Sequence, residues 1–279
     1  MTRLLVAEFF KVFTTKLWWA LLIPVAVVAI VIGFAGAAIA SLPDVVDEAG
    51  LTAPAVALTM PISMQQTTIF AVVLGLIGGA GEFRHKTITT TYLTGSSRGA
   101  VLAAKAIVYG GMGLLYGLVT AVLCATGAMI NSGTASFPSA GDTLVIAAAG
   151  TAGVIIWTVL GVGIGTLISS QVAVLIVVLI YMLFAEGLIS LILRIPQLGL
   201  ADIPPYLPGA GSTALQTDHG ISAFADSFGD EAFGVNEGLE ALVGTPGQLS
   251  WWAGGLVFAT YAAAFLTGGW LVSQKRDIS

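Results

Sequence analysis

Six long stretches of this 279-residue chain carry almost no charge, and they constrain its fold more than any other feature. Each holds about 20 or more mostly apolar residues, the length that an α-helix needs to cross the hydrocarbon core of a bilayer. The mean hydropathy is +0.96. The sequence therefore predicts an all-α polytopic membrane protein with six transmembrane helices. The predicted spans are Leu17 to Ala40, Leu58 to Ala80, Val101 to Ile130, Leu144 to Ile168, Val172 to Leu193 and Trp251 to Val272.

The distribution of lysine and arginine predicts how these spans are oriented. Short cytoplasmic loops carry the excess of these residues. Nine of the ten lie before the first span, between the second and third spans, at the start of the third span, or after the sixth. With six spans, both termini are then expected in the cytoplasm. The acidic residues lie mostly in the opposite segments, so the net charge of −5 does not indicate a nucleic-acid partner.

The segment before the first span has two different faces. At about 100° per residue, one face is apolar, with Leu5, Val6, Phe9, Phe10, Val12, Phe13 and Leu17. Most of the other face is polar, with Arg3, Glu8, Lys11, Thr14 and Thr15. This pattern predicts an amphipathic helix over residues 1–16 that lies in the headgroup region, and a plain positively charged flank is the alternative. A signal peptide cleaved near "AAIAS" is disfavoured because the apolar run exceeds the roughly 7 to 15 residues of such a core.

The single predicted domain, residues 1–279, has its longest connection between the fifth and sixth spans. Residues 194–250 far exceed the usual loop length of about 4 to 6 residues. They begin with the proline-rich "IPQLGLADIPPYLPGAG". We expect an external cap of short or re-entrant helices there, with a partly disordered segment as the alternative. Residues 273–279 are expected to form a cytoplasmic tail.

Small residues recur four positions apart in the spans. The pairs are Gly75 with Gly79, Gly113 with Gly117, and Gly161 with Gly165. Such pairs let helix backbones approach closely in lipid. We therefore interpret "GVGIG" as a packing motif and not as a nucleotide-binding fingerprint, which requires a preceding strand.

No residue pattern predicts catalysis or a metal site. His85 and His219 are expected on opposite sides of the membrane, whereas a metal site needs about three or four clustered ligands. No histidine in a span is placed to activate a serine. Cys124 is the only cysteine, so it forms no intrachain disulfide. We expect that the chain is not an enzyme and binds no metal or cofactor itself.

Glu186 is the only acidic residue in the interior of a predicted span. A carboxylate is costly there, and by default it indicates a functional contact. Gln65 and Gln66, near the second span, are candidate polar partners. We expect Glu186, Gln65 and Gln66 to form a pathway or dimer contact. Alternatively, Glu186 lies about two turns before Arg194 and reaches toward the external surface.

The stretch "GEFRHKTITTTYLTGSSRGAVLAAK", residues 81–105, holds four of the ten basic residues. Glu82 and Lys86 have the spacing of a favourable helical ion pair. Arg98 and Lys105 share a face of the third span and are expected near the headgroups. The stretch predicts a short helix across the cytoplasmic membrane surface, with a plain positively charged loop as the alternative.

The order Glu82, Thr87, Arg98 and Lys105, within "EFRHKTI" and "RGAVLAAK", resembles permease subunits of the six-helix, type-2 class of ABC exporters, particularly actinobacterial-like members. The amphipathic N-terminus, the six spans and "LPGAG" before the last span support this resemblance along the chain. Lys86 departs from the pattern, because relatives commonly have glycine before the threonine.

The resemblance implies that Glu82 to Thr94 is a coupling helix that docks into a cleft on a separate ABC ATPase subunit. ATP and Mg would bind that subunit, and two permease subunits, identical or sister chains, would pair around a central pathway. The implied location is the bacterial cytoplasmic membrane. The residues expected to face the ATPase are Glu82, Arg84, Lys86, Thr87 and Arg98.

Two other functions stay open on the sequence. One is a secondary transporter or channel with Glu186 as a proton or cation site. Such carriers often show internal repeats or broken helices, and neither is clear here. The other is a membrane scaffold without transport. The apolar interior favours a hydrophobic or amphipathic cargo if the chain transports one.

Overall fold

The computed structural model describes residues 1–40, 55–84, 97–130, 137–168, 170–226, 240, 243–244 and 247–275, with the backbone alone at residues 55 and 82–84. Within these ranges the regular structure is helical and no strand occurs, so the prediction of an all-α chain is confirmed. The longer helices are α1 (Thr2–Thr14), α2 (Leu17–Ala40), α3 (Ala55–Arg84), α4 (Arg98–Ile130), α5 (Ala140–Leu167), α6 (Gln171–Ile180), α7 (Glu186–Leu193), α8 (Pro208–Ala225) and α9 (Trp251–Lys275).

Six helical segments are long and apolar enough to cross a membrane, as expected of a multi-pass membrane protein. The first is Leu17–Ala40, as predicted, and no end of the others differs from its predicted position by more than four residues. The agreement follows from the bilayer itself, because a backbone in hydrocarbon must satisfy its polar groups internally and an uncharged run of this length does so as a helix.

The fifth span is not one regular helix. The π-helical turn Tyr181–Ala185 joins α6 to α7, and Glu186 follows it directly. A π-turn is a rare, wider turn that often occurs at functional sites. It rotates the faces of the residues that follow, and the Glu186 carboxylate is directed at the start of α8.

The glycine pairs pack helices together, as predicted. A Cβ atom on Gly161 of α5 would lie 2.6 Å from the Val72 carbonyl oxygen of α3, and one on Gly165 would lie 2.5 Å from that of Leu76. In α4, a Cβ on Gly113 would lie 2.6 Å from Thr158 Oγ1. Helix α5 is thereby held against α3 and α4, and it also contacts α9.

Helix α8 lies inside the bundle. Ten of its 18 residues are buried, and it contacts α9, α3 and α5. Its Gly220 approaches Ala57 near the start of α3, whereas its Ser212 reaches Trp157, well inside α5. The first part of segment 194–250 therefore contains a helix that packs against the spans. Residues 227–239, also in that segment, lie outside the described residues.

Candidate functional site

A cavity of about 380 Å³ lies between α3, α7 and the first half of α8. Gln65, Gln66 and Glu186 all line it. The structure thus brings together the three side chains that were predicted to share a pathway or dimer contact. Gln65 is half-buried and its Nε2 donates to the Val243 carbonyl oxygen at 3.0 Å, whereas Gln66 is exposed.

Glu186 holds the N-terminus of α8. Its Oε2 accepts a hydrogen bond from the Gly209 amide at 3.0 Å, and its Oε1 accepts one from Ala210 at 2.8 Å. The first N–H groups of a helix have no partner within the helix. Leu207, at the N-cap, supplies no side-chain acceptor, and Pro208 has no N–H group. A carboxylate from another helix therefore does what a capping residue normally does.

The contact between Glu186 and α8 offsets two unfavourable free energies, that of a buried acid and that of a buried helix end. A buried acid is unfavourable without a partner, and so is a buried helix end without acceptors. The positive end of the α8 dipole stabilises the carboxylate. A Cβ atom at residue 209 would overlap the carboxylate where it now lies, so the carboxylate would have to move away from the two amides that it accepts from.

A hydrogen-bonded group lies on the cavity wall deeper in the bundle. Ser212 Oγ accepts from Trp157 Nε1 at 2.7 Å and from Gln216 Nε2 at 3.0 Å. The Gln216 side chain is 0% exposed, and its Oε1 has no hydrogen-bond partner among the described residues. No pattern in the sequence singled out these three residues, although the spacing of Ser212 and Gln216 places them on one face of a helix.

A second polar cluster lies where α1 meets α4. Lys105 Nζ is 3.1 Å from Glu8 Oε2 and donates to the Gly78 carbonyl oxygen at 3.3 Å. Lys11 Nζ is 2.6 Å from the other oxygen, Glu8 Oε1. Only 2% of Glu8 and 5% of Lys105 are exposed.

This burial corrects one expectation from the sequence. Helical periodicity placed Glu8 on the polar face of α1, but its side chain is buried against that of Lys105. Opposite charges in hydrogen-bonding contact tolerate burial that neither would tolerate alone. Glu8 and Val12, one turn apart, form the buried side of α1. Apolar side chains of the same helix stay exposed, namely Val6, Phe9, Phe10 and Phe13.

The residues expected to face an ATPase are described only in part. Glu82 and Arg84 lie in the last turn of α3, and only their backbone is described. Lys86 and Thr87 lie outside the described residues, as does the rest of the predicted coupling helix. Arg98 begins α4, and its guanidinium donates to the Ser273 carbonyl oxygen near the end of α9.

No model of a known protein family matches this chain, and no curated protein is significantly similar to it. Within the part of the chain that the structure describes, no group of three or more His, Cys, Asp or Glu side chains is placed to hold a metal ion. The features that bear on function are therefore the cavity, the Glu186 contact and the Glu8 and Lys105 cluster.

Proposed function

We propose that this chain is the membrane-spanning permease subunit of an ATP-driven exporter. Separate ATPase subunits bind ATP and Mg, and two permease subunits, identical or sister chains, form the translocation pathway. The observation that carries this proposal is the buried ion pair between Glu8 and Lys105, which joins the N-terminal helix to the start of α4.

That ion pair lies at the end of the bundle where α3 leads into the predicted coupling segment and α4 follows it. Helix α3 ends at Arg84 and α4 begins at Arg98, so the segment between them connects directly to both helices. Arg98 also contacts the last turns of α9. A partner that displaces this segment therefore displaces α4, and through α4 both α1 and α9. Such a connection is what an exporter needs to convert ATP hydrolysis elsewhere into movement of its spans.

The cavity between α3, α7 and α8 is the proposed cargo-binding part of the pathway. Its lining is more polar than the surrounding spans, and α8 bounds it from within the bundle. In the proposed arrangement both termini and the coupling segment are cytoplasmic, and the chain lies in a bacterial cytoplasmic membrane.

The geometry favours a permease over a carrier that uses Glu186 as its proton or cation site. The Glu186 carboxylate already accepts hydrogen bonds from Gly209 and Ala210, and a proton or cation would compete with both. A non-transporting scaffold would keep the same docking surface but show no flux, so the test must include a measure of ATP-driven activity.

The first experiment is purification of the tagged chain from its host in a mild detergent, followed by identification of bound proteins and an assay of vanadate-sensitive ATP hydrolysis. We expect a stoichiometric partner with an ATP-binding site. Glu82→Lys should abolish its copurification, whereas Asp202→Lys, the same charge reversal at an exposed residue of the opposite end, should not. A chain that purifies alone and without hydrolysis, under conditions that preserve known complexes, would contradict the proposal.

A further inference from the structure

The chemistry of the cavity wall is hydrogen-bonding but almost uncharged. Apart from Glu186 and Trp157, its polar side chains are amides and hydroxyls: Gln65, Gln66, Thr68, Ser190, Ser212, Thr213 and Gln216. Among the described lining residues none is lysine, arginine or histidine, and Glu186 is the only acid. The N-terminus of α8 balances that acid. A ligand with a strong charge of either sign therefore lacks a counter-charge in this cavity.

The Gln216 side chain has one polar atom that a ligand group would satisfy with a hydrogen bond. Its Nε2 donates to Ser212, but its Oε1 is buried without a partner among the described residues. An unpaired buried polar atom costs about 1 to 3 kcal/mol. A hydroxyl group both donates and accepts, so it pairs with this amide in either orientation of its oxygen and nitrogen.

The cavity also has an apolar border that opens on the outer face of the bundle. Leu183 and Gly187 of the fifth span are exposed, and so is Gln66 on α3. Only 11% of the most apolar stretch of the fifth span is buried within the protein. An apolar chain attached to a ligand would therefore lie along α6 and α7, while its polar end enters the cavity.

We propose that this cavity binds an amphipathic molecule with an uncharged, hydroxyl-bearing headgroup. The headgroup hydroxyls pair with Gln216 and Gln66, and the apolar part lies against the fifth span. The volume of about 380 Å³ is within the range of roughly 300 to 1,000 Å³ found for small-molecule sites and suits one sugar-sized headgroup. That this ligand is a cargo rests on the proposed function, whereas its binding does not.

The test uses the full chain in phosphatidylcholine nanodiscs that contain, in separate samples, a galactosyl diacylglycerol or phosphatidylglycerol with the same acyl chains. Native mass spectrometry counts the probe lipids that stay bound. We expect retention of the galactolipid to exceed that of phosphatidylglycerol by about fivefold, because the anionic phosphate of phosphatidylglycerol has no counter-charge among the described lining residues. Equal retention, or a preference for the anionic lipid, would overturn the proposal.

Two variants test the site, with one matched control. Gln66→Leu and Gln216→Leu should each reduce galactolipid retention to the level of phosphatidylglycerol. Gln197→Leu should leave it unchanged, because Gln197 is an exposed glutamine outside the cavity. Gln66 is exposed as well, so its replacement leaves the buried packing intact even if Gln216→Leu does not fold. Unchanged retention in Gln66→Leu would count against the site.

A soluble competitor distinguishes a lipid-like ligand from a free sugar. Methyl galactoside should not displace the galactolipid, because it lacks the apolar part that lies along α6 and α7. Displacement at millimolar concentration would assign the cavity to a free solute and contradict the amphipathic ligand. None of these measurements needs an ATPase partner, so a failure here and a failure of the copurification experiment are separate results.

Discussion

Glu8 and Lys105 are 97 residues apart in the sequence, and their side chains form an ion pair 3.1 Å apart in the protein interior. The pair joins a helix that was predicted to lie in the membrane surface to the third transmembrane span. It makes α1 part of the bundle and not a detached anchor.

Removal of one member of this pair should destabilise the protein strongly. Glu8→Ala removes the carboxylate that is paired with the buried Lys105 ammonium, and breaking a buried pair costs about 3 to 5 kcal/mol. The double variant Glu8→Leu/Lys105→Met should cost much less, because it leaves no buried charge. The free energy of unfolding is measured by SDS titration in mixed micelles.

Lys11→Met is the control for this measurement. The Lys11 side chain is 45% exposed, so its pair with Glu8 should contribute less than about 1 kcal/mol. If Glu8→Ala costs no more than Lys11→Met, the buried pair does not hold α1 in place.

The contact between Glu186 and the start of α8 should depend on both partners. Glu186→Gln replaces one acceptor oxygen by a donor facing a backbone N–H group, and we expect a loss of about 1 to 3 kcal/mol. Gly209→Ala should also destabilise, because its methyl group would collide with the carboxylate. Thermal unfolding followed by circular dichroism measures both.

Gly187→Ala is the matched control for Gly209→Ala. A Cβ atom on Gly187 meets nothing within 4 Å. Because alanine favours a helix over glycine by about 1 kcal/mol, this variant should be neutral or slightly more stable. A folded Glu186→Gln protein that exports nothing, together with a Glu82→Lys protein that still exports, would instead support the rival carrier, in which the carboxylate binds a proton or cation.

The glycine contacts between α3 and α5 provide a third prediction. Gly161→Ala should destabilise the protein by about 1 to 3 kcal/mol through overpacking, because its Cβ would lie 2.6 Å from the Val72 carbonyl oxygen. A Cβ atom on Gly111 of α4 meets nothing within 4 Å, so Gly111→Ala should not destabilise the protein. SDS titration of the two variants checks this, and equal stabilities would show that the two backbones are farther apart than described.

The single cysteine reports on the packing of α2, α3 and α4. Cys124 is 0% exposed, and its sulfur accepts a hydrogen bond from Ser63 at 3.4 Å. It should stay unlabelled by a maleimide in native detergent solution and react after unfolding. Gln197→Cys in a Cys124→Ser background places the thiol at an exposed position outside the six spans and should react at once. Labelling of native Cys124 at a similar rate would contradict this packing.

The spans and the glycine pairs were predictable because each depends on residues close together in the sequence. A run of about 20 apolar residues specifies a membrane-spanning helix by length and composition. Likewise, Gly161 and Gly165 occupy one face of a helix whatever helix packs there. Sequence reasoning also selected Gln65, Gln66 and Glu186, since polar groups within spans are uncommon.

The way in which the polar side chains are arranged in the folded protein was not predictable from the same patterns. Helical periodicity assigned Glu8 to the polar face of α1, and it carries no information about a lysine 97 residues away. The π-turn before Glu186 and the insertion of α8 into the bundle leave no periodic signal either. Gln216 in particular lies in a segment whose sequence resembles a loop, and its burial follows only from the packing of α8.

Local hydropathy is enough to predict a six-span helical membrane protein, because a backbone in lipid satisfies its hydrogen bonds as a helix. The buried charges, the partners of Glu186 and the cavity between α3, α7 and α8 follow instead from the way the helices pack. Those features depend on contacts between distant positions, where the cost of a buried polar group is offset by a partner that no single segment contains.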